Sequence, residues 1–203
     1  MEKIAYKTIE RNNLYEIEKI KGSRFIGSIF KTESKEEAEE QLEMIRKKNY
    51  SATHNCFAYT VGIDQPVTRF SDDGEPSGTA GRPMMNVLES SGLSNVLLVV
   101  TRYYGGTKLG TGGLMKAYSE AAKEVISNSK IIDVEIKISV EFDYVYDSTS
   151  MIMNLINKYE AEIVEEKYGD QVSMRIMLNK AFLESFSDEI FDKSNGKIKT
   201  RDI

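Results

Sequence analysis

The apolar run NVLLVV at residues 95–100 constrains this chain more than any other feature. Five consecutive aliphatic side chains leave no polar face for water. Such a strand has to be central in its sheet and buried on both faces. It leads into RYYGGTKLGTGG, residues 102–113, where five of twelve residues are glycine. Leu114, Ala117, Tyr118, Ala121, Ala122 and Val125 then recur at helical spacing. Buried strand, glycine loop and amphipathic helix therefore follow one another directly.

The flanking segments read by the same rules. YEIEKI and RFIGSIF alternate and turn near Gly22 and Ser23, which predicts a hairpin. TESKEEAEEQLEMIRKK predicts a helix with a capping box from Ser34 to Glu37, and with Ala38, Leu42 and Ile45 on one face. NCFAYTVG reads as a strand and FSDDGEPSGTAG as a loop, followed by a helix that carries Met84, Val87 and Leu88. The pattern changes near Lys130. DVEIKISVEFDY, a helix face from Met151 to Tyr159, AEIVEEKYG, QVSMRIML, FLESFSDEIF and GKIKTRDI follow in βαββαβ order, the ferredoxin-like pattern. We therefore expect two domains, residues 1–130 and 131–203.

Charge narrows the choice of partner. Residues 131–203 hold 9 Lys and Arg against 15 Asp and Glu, a net of −6, whereas residues 1–130 are close to neutral. Contact with a phosphate backbone, which depends on neutralised charge, is therefore expected in the first domain. One cysteine, Cys56, excludes an internal disulfide framework. MEKIAYKTIERNN lacks the apolar core of a signal peptide, and no run approaches a membrane span. The expected compartment is the cytoplasm, with no membrane partner and no cofactor.

Two loops carry the candidate chemistry. After Arg102, Tyr103 and Tyr104, the residues Gly105, Gly106, Lys108, Gly110, Thr111, Gly112 and Gly113 lead into a helix expected to start near Gly112 with Thr111 as its cap. A helix start exposes unpaired N–H groups with partial positive charge, and glycine lets an anion come close. Lys116 lies one turn further on. The spacing matches neither GxxxxGK[ST] nor GxGxxG. Close strand–helix packing is the alternative reason for the glycines. The loop SDDGEPSGTAGRP repeats the design with Ser77, Gly78, Thr79, Gly81 and Arg82. Its Asp72, Asp73 and Glu75 are weak metal candidates, against a simple Asp-Gly reversal. His54 and Cys56 share a strand face. Cys56 reads as a core residue, while His54 is either a functional polar group or a structural hydrogen-bonding one. Tyr103 and Tyr104 point to opposite faces, so one of them can pack inward and the other meet solvent or a base.

FSDDGEPSGTAGRPMMNVL followed by LLVVTRYYGGTKLGTGGLMKAY closely resembles the signature of the IMPACT/YigZ family, and HNCFAY resembles the strand that precedes it there. With the acidic βαββαβ tail, the resemblance covers nearly the whole chain. It implies an α+β fold: an N-terminal two-layer α/β sandwich similar to domain IV of elongation factor G, and a ferredoxin-like C-terminal domain similar to its domain V. It also implies a link to translation. The eukaryotic relative restrains an initiation-factor kinase and carries a further RWD module that has no counterpart in these residues, so the resemblance does not by itself bring that partner mechanism to this chain. For bacterial members the implied partner is RNA or the ribosome.

The leading expectation is a non-enzymatic protein that engages RNA, the ribosome or another anionic partner through its glycine loops, with Arg82, Arg102, Lys108 and Lys116 on phosphates and Tyr103 or Tyr104 stacking. One alternative is a metal-dependent enzyme acting on a phosphorylated or nucleotide substrate through His54, Asp72, Asp73 and Glu75. Another is a module that binds a protein partner.

Overall fold

In the computed structural model, which describes residues 4–202, the chain divides into two compact units. One spans Tyr6–Val134. The other holds Ile4, Ala5 and the described residues from Glu135 to Asp202. The protein is α+β, with antiparallel sheets in both units.

The first unit is built on a five-stranded sheet. In chain order its elements are β1 (Ala5–Ile9), β2 (Asn13–Glu16), β3 (Arg24–Lys31), α1 (Lys35–Lys48), β4 (His54–Val61), β5 (Val67–Ser71), α2 (Gly81–Ser91), β6 (Val96–Tyr103), α3 (Gly110–Ser127) and β7 (Ile131–Glu135). The strand order is β2-β3-β6-β4-β5, which puts the apolar β6 at the centre, while β1 and β7 form a separate two-stranded sheet. The expected hairpin is β2–β3, paired from Asn13↔Ile29 to Glu16↔Ile26, with a bridge between Ile20 and Ser23 at its turn.

Strand alternation sorts β6 into two cores. Val96, Leu98 and Val100 face α2 and α3 with Phe25, Ile29, Cys56 and Ala58. Leu97 and Val99 face α1 with Phe57, Tyr59 and Val61. The sheet with α2 and α3 forms the two-layer sandwich, and α1 adds a further layer on the opposite face. The α1 cap forms as its sequence predicts: Ser34 Oγ accepts from the Glu37 N–H at 3.1 Å. Glu37 Oε2 reaches back to the N–H of Glu33 at 2.8 Å, one residue before the cap.

The second unit contains β8 (Lys137–Tyr144), α4 (Thr149–Lys158), β9 (Glu162–Tyr168), β10 (Val172–Asn179), α5 (Leu183–Lys193) and β11 (Arg201–Asp202). Its sheet order is β11-β8-β10-β9, the fourth, first, third and second strands of a ferredoxin-like βαββαβ unit. The segment expected as one strand at 133–144 breaks at Ile136 into β7 and β8, and the closing strand is only two residues long. Val140, Phe142, Ile152, Leu155, Met174, Ile176, Phe186 and Ile190 make its core. On the other sheet face, Arg175 pairs with Glu141 and Glu165, Lys167 with Glu165, and Arg201 with Asp143. That face neutralises its own charge. Among the described residues, no helix is long and apolar enough to cross a membrane.

Candidate functional site

The site forms where β4 starts and β6 ends, on the α2/α3 side of the sheet. Register places His54 opposite Arg102, and Arg102 opposite Phe25. Both polar residues continue the inward face that starts as Ala58, Cys56 on β4 and Leu98, Val100 on β6. Thr53, His54, Glu75, Pro76, Arg102, Tyr104, Lys108, Leu109, Gly110, Thr111 and Leu114 line an open cleft of about 480 Å³.

Glu75 and Arg102 lie at its base, with side chains 3% and 6% exposed. Arg102 Nη1 donates to Glu75 Oε1 at 2.5 Å, and the hydroxyl of Tyr118 donates to the same oxygen at 2.8 Å. The guanidinium lies over the rings of Phe25 and Tyr104, each centred 5.4 Å away. Its Nη2 reaches Ser23 Oγ at 3.4 Å, while its buried Nε has no partner among the described residues. His54 Nδ1 lies 2.8 Å from the carbonyl oxygen of Asp73. A carbonyl only accepts, so Nδ1 carries a proton. Nε2 then faces Glu75 Oε1 at 3.8 Å.

The two helix starts differ. The amides before α2 are already filled. Asp72 Oδ2 accepts from Gly78, and Oδ1 from Ala80 and Gly81, at 2.8–2.9 Å. Burial pushes the pKa of this carboxyl group up, but the three backbone donors outweigh burial and hold it below the usual aspartate value. Among the described residues, no side chain caps the start of α3. The helix begins at Gly110 rather than Gly112, so Thr111 sits inside the first turn, and the capping position falls to Leu109, which offers no acceptor. Side chains built onto Gly110 or Gly112 would meet nothing within 4 Å, so this turn is open.

The glycines serve separate purposes. A Cβ on Gly105 would lie 1.9 Å from the Gly22 carbonyl carbon, so this residue lets the loop touch the β2–β3 turn. Gly105 N–H also donates to Ser23 Oγ at 3.1 Å. Gly110 has φ +74°, which swings the chain into α3.

The cleft gathers only some of the expected residues. His54, Arg102, Tyr104, Lys108, Gly110 and Thr111 line it. Ser77, Gly78, Thr79, Gly81 and Arg82 do not: the amides of Gly78 and Gly81 serve Asp72, Thr79 Oγ1 donates to the Pro76 carbonyl at 2.7 Å, and Arg82 lies over Phe70. Gly112, Gly113 and Lys116 belong to the first two turns of α3 without lining the cleft. Arg102, expected to meet phosphate, is engaged by Glu75. Tyr103 points to the α1 face, where its hydroxyl donates to Asn49 Oδ1 at 3.1 Å. Tyr104 is 46% exposed.

The three carboxylates of the second loop diverge. Asp72 holds the α2 amides, Glu75 holds Arg102, and Asp73 accepts from the Asn55 N–H at 2.7 Å and from Arg46 at 3.2 Å. No cluster of three or more metal-ligating side chains exists among the described residues. Cys56 is buried, its thiol donates to the Asp72 carbonyl at 3.0 Å, and burial pushes its pKa up to about 12. A thiol held in that form is a poor nucleophile.

Comparison with known proteins fits this architecture. Residues 21–126 match the Impact N-terminal domain, and residues 140–197 match a domain of unknown function, DUF1949. "IMPACT family member" of Haemophilus influenzae is 37% identical over 186 residues, 89% of each chain. "IMPACT family member YigZ" of Escherichia coli is 36% identical over 189 residues, 90% of this chain and 91% of the relative. A solved structure described as that of an hypothetical protein superposes with a TM-score of 0.77 at 32% identity, covering 99% of this chain and 98% of the other. The chain belongs to the IMPACT family.

Proposed function

We propose that this protein is a non-enzymatic, translation-associated binding protein that seats a phosphate of single-stranded RNA on the open first turn of α3. The observation that carries the reading is the contrast between two helix starts in one domain. Asp72 fills the amides before α2, while among the described residues no side chain caps α3. Unpaired amides at a helix start attract anions through both hydrogen bonding and the helix dipole. Lys108 adds a full positive charge at the cleft, and the exposed Tyr104 ring offers a base a stacking surface. Arg102 and Glu75 cancel one another, so the buried pair leaves the seat free of net charge.

This reading implies few phosphate contacts. Each phosphate neutralised on a single strand contributes a slope of about −0.7 to log K against log salt. One or two contacts give about −1, a far shallower dependence than that of a basic RNA-binding protein. The experiment is fluorescence anisotropy of a labelled single-stranded RNA across a KCl series, with Thr111→Asp as the variant. Thr111 is exposed in the first turn of α3. An aspartate there suits the helix dipole, by about 0.3–1 kcal/mol, so the fold is kept. Its carboxylate occupies the amides in place of phosphate. The expected result is at least tenfold weaker RNA binding with an unchanged or higher Tm. Binding by Thr111→Asp equal to that of the unsubstituted protein contradicts the proposal.

A further inference from the structure

The Glu75–Arg102 pair is bonded incompletely on both sides. Glu75 Oε1 takes every contact recorded for that carboxylate: Arg102, Tyr118 and the more distant His54. No hydrogen bond or ion pair reaches its Oε2 among the described residues, and this oxygen keeps some contact with solvent in a side chain that lines the cleft and is only 3% exposed. Arg102 Nε is also buried without a partner. Burying a charged pair carries a large desolvation cost, and a pair kept for stability alone is expected to satisfy its remaining lone pairs and protons. Arg102 Nη1 is committed to Glu75. What the pair offers the cleft is one acceptor oxygen, with its negative charge already balanced.

A ligand that fits must therefore bring an anion for the α3 turn and a hydrogen-bond donor for Glu75. A nucleotide has both. Its sugar is bonded directly to its phosphate, so the sugar hydroxyls are the donors nearest the seat. Deoxyribose within a DNA strand has no free hydroxyl there. The 2′-hydroxyl is the group by which a protein tells the two nucleic acids apart at a given site, and an acidic side chain near a glycine-rich helix start is a suitable acceptor for it.

We infer that Glu75 Oε2 accepts a hydrogen bond from the ribose 2′-hydroxyl of the nucleotide whose phosphate sits on α3, and so makes the cleft selective for RNA over DNA. This rests on the RNA reading above. The test uses the full chain and two pairs of 5′-phosphorylated, 3′-fluorescein heptamers: oligo(U) with oligo(dU), and oligo(A) with oligo(dA), read by anisotropy. A hydrogen bond to a charged acceptor corresponds to a preference of about tenfold or more. The expected result is that preference for RNA in both pairs, lost when the 2′-hydroxyls are methylated and reduced in Glu75→Gln. The methylated probe removes the donor without touching the protein, so the outcome does not depend on how the variant folds. Equal binding of RNA and DNA overturns this inference and leaves the phosphate seat standing. A preference that follows the base rather than the sugar also overturns it, because the donor is then a base amino group. Binding of neither nucleic acid overturns both readings.

Discussion

Replacing Asp72 with alanine removes one carboxylate and strips three amides of their acceptor. Gly78 is exposed, so water takes over its N–H, but Ala80 and Gly81 are buried. Each buried amide left unpaired costs about 1–3 kcal/mol. Loss of a charged cap at the start of α2 adds about 0.3–1 kcal/mol. The expected total is about 3 kcal/mol, or a fall in Tm of about 12 °C at roughly 4 °C per kcal/mol for a unit of this size. Asp72→Asn keeps one acceptor oxygen for Ala80 and Gly81 and should lose about half as much, on the order of 1.5 kcal/mol. The pH dependence has a definite sign. The Asp72 carboxyl group titrates lower when folded than when unfolded, because its backbone donors overcome the effect of burial. Its stabilisation is fully present above the ordinary aspartate range near about pH 4 and is lost as pH falls through the lower folded value. The gap between the unsubstituted protein and Asp72→Ala should therefore narrow in acid. The assay is urea denaturation at several pH values, with amide hydrogen exchange across α2 to assign the transition to this unit. A stability change under about 1 kcal/mol, or a gap that widens as pH falls, would refute the reasoning.

Three further outcomes follow from the same contacts. Cys56 should resist iodoacetamide and disulfide reagents in the folded protein and react only on unfolding, since burial raises its thiol pKa to about 12. Fast labelling under native conditions contradicts this. Gly105→Ala should cost about 3 kcal/mol or more in a melt, because the new methyl would overlap the Gly22 backbone, 1.9 Å away, and backbone cannot rotate aside as a side chain can. A stable Gly105→Ala protein would show that the loop does not need this contact. The Thr111→Asp variant should separate RNA affinity from stability, as argued for the phosphate seat.

Much of the fold can be read from local chemistry. β6 is apolar on both sides, and that alone makes it central. Ser34 with Glu37 marks the start of α1, and the stripe from Leu114 to Val125 marks the buried face of α3. β5, at the sheet edge, escapes notice because VTRFS is largely exposed and carries no burial pattern. The site is less legible. Two-residue alternation from Leu98 through Val100 does place Arg102 on the inner face, and that parity could have predicted its burial. Its partner Glu75 lies 27 residues earlier, joined to it only by the sheet. Asp72 reaches amides six to nine residues ahead, a span that no short capping motif encodes. The two glycine loops therefore look alike in sequence, yet one carries its own anion and the other does not.

That difference is tested most directly by following backbone amides in a ¹H–¹⁵N spectrum while 5′-phosphorylated oligo(U) is added. The account predicts shifts at Gly110, Thr111, Gly112 and Gly113, with Gly78, Ala80 and Gly81 unmoved because Asp72 already holds them. Shifts confined to the α2 amides, or an unmoved α3 turn under saturating oligonucleotide, would contradict it.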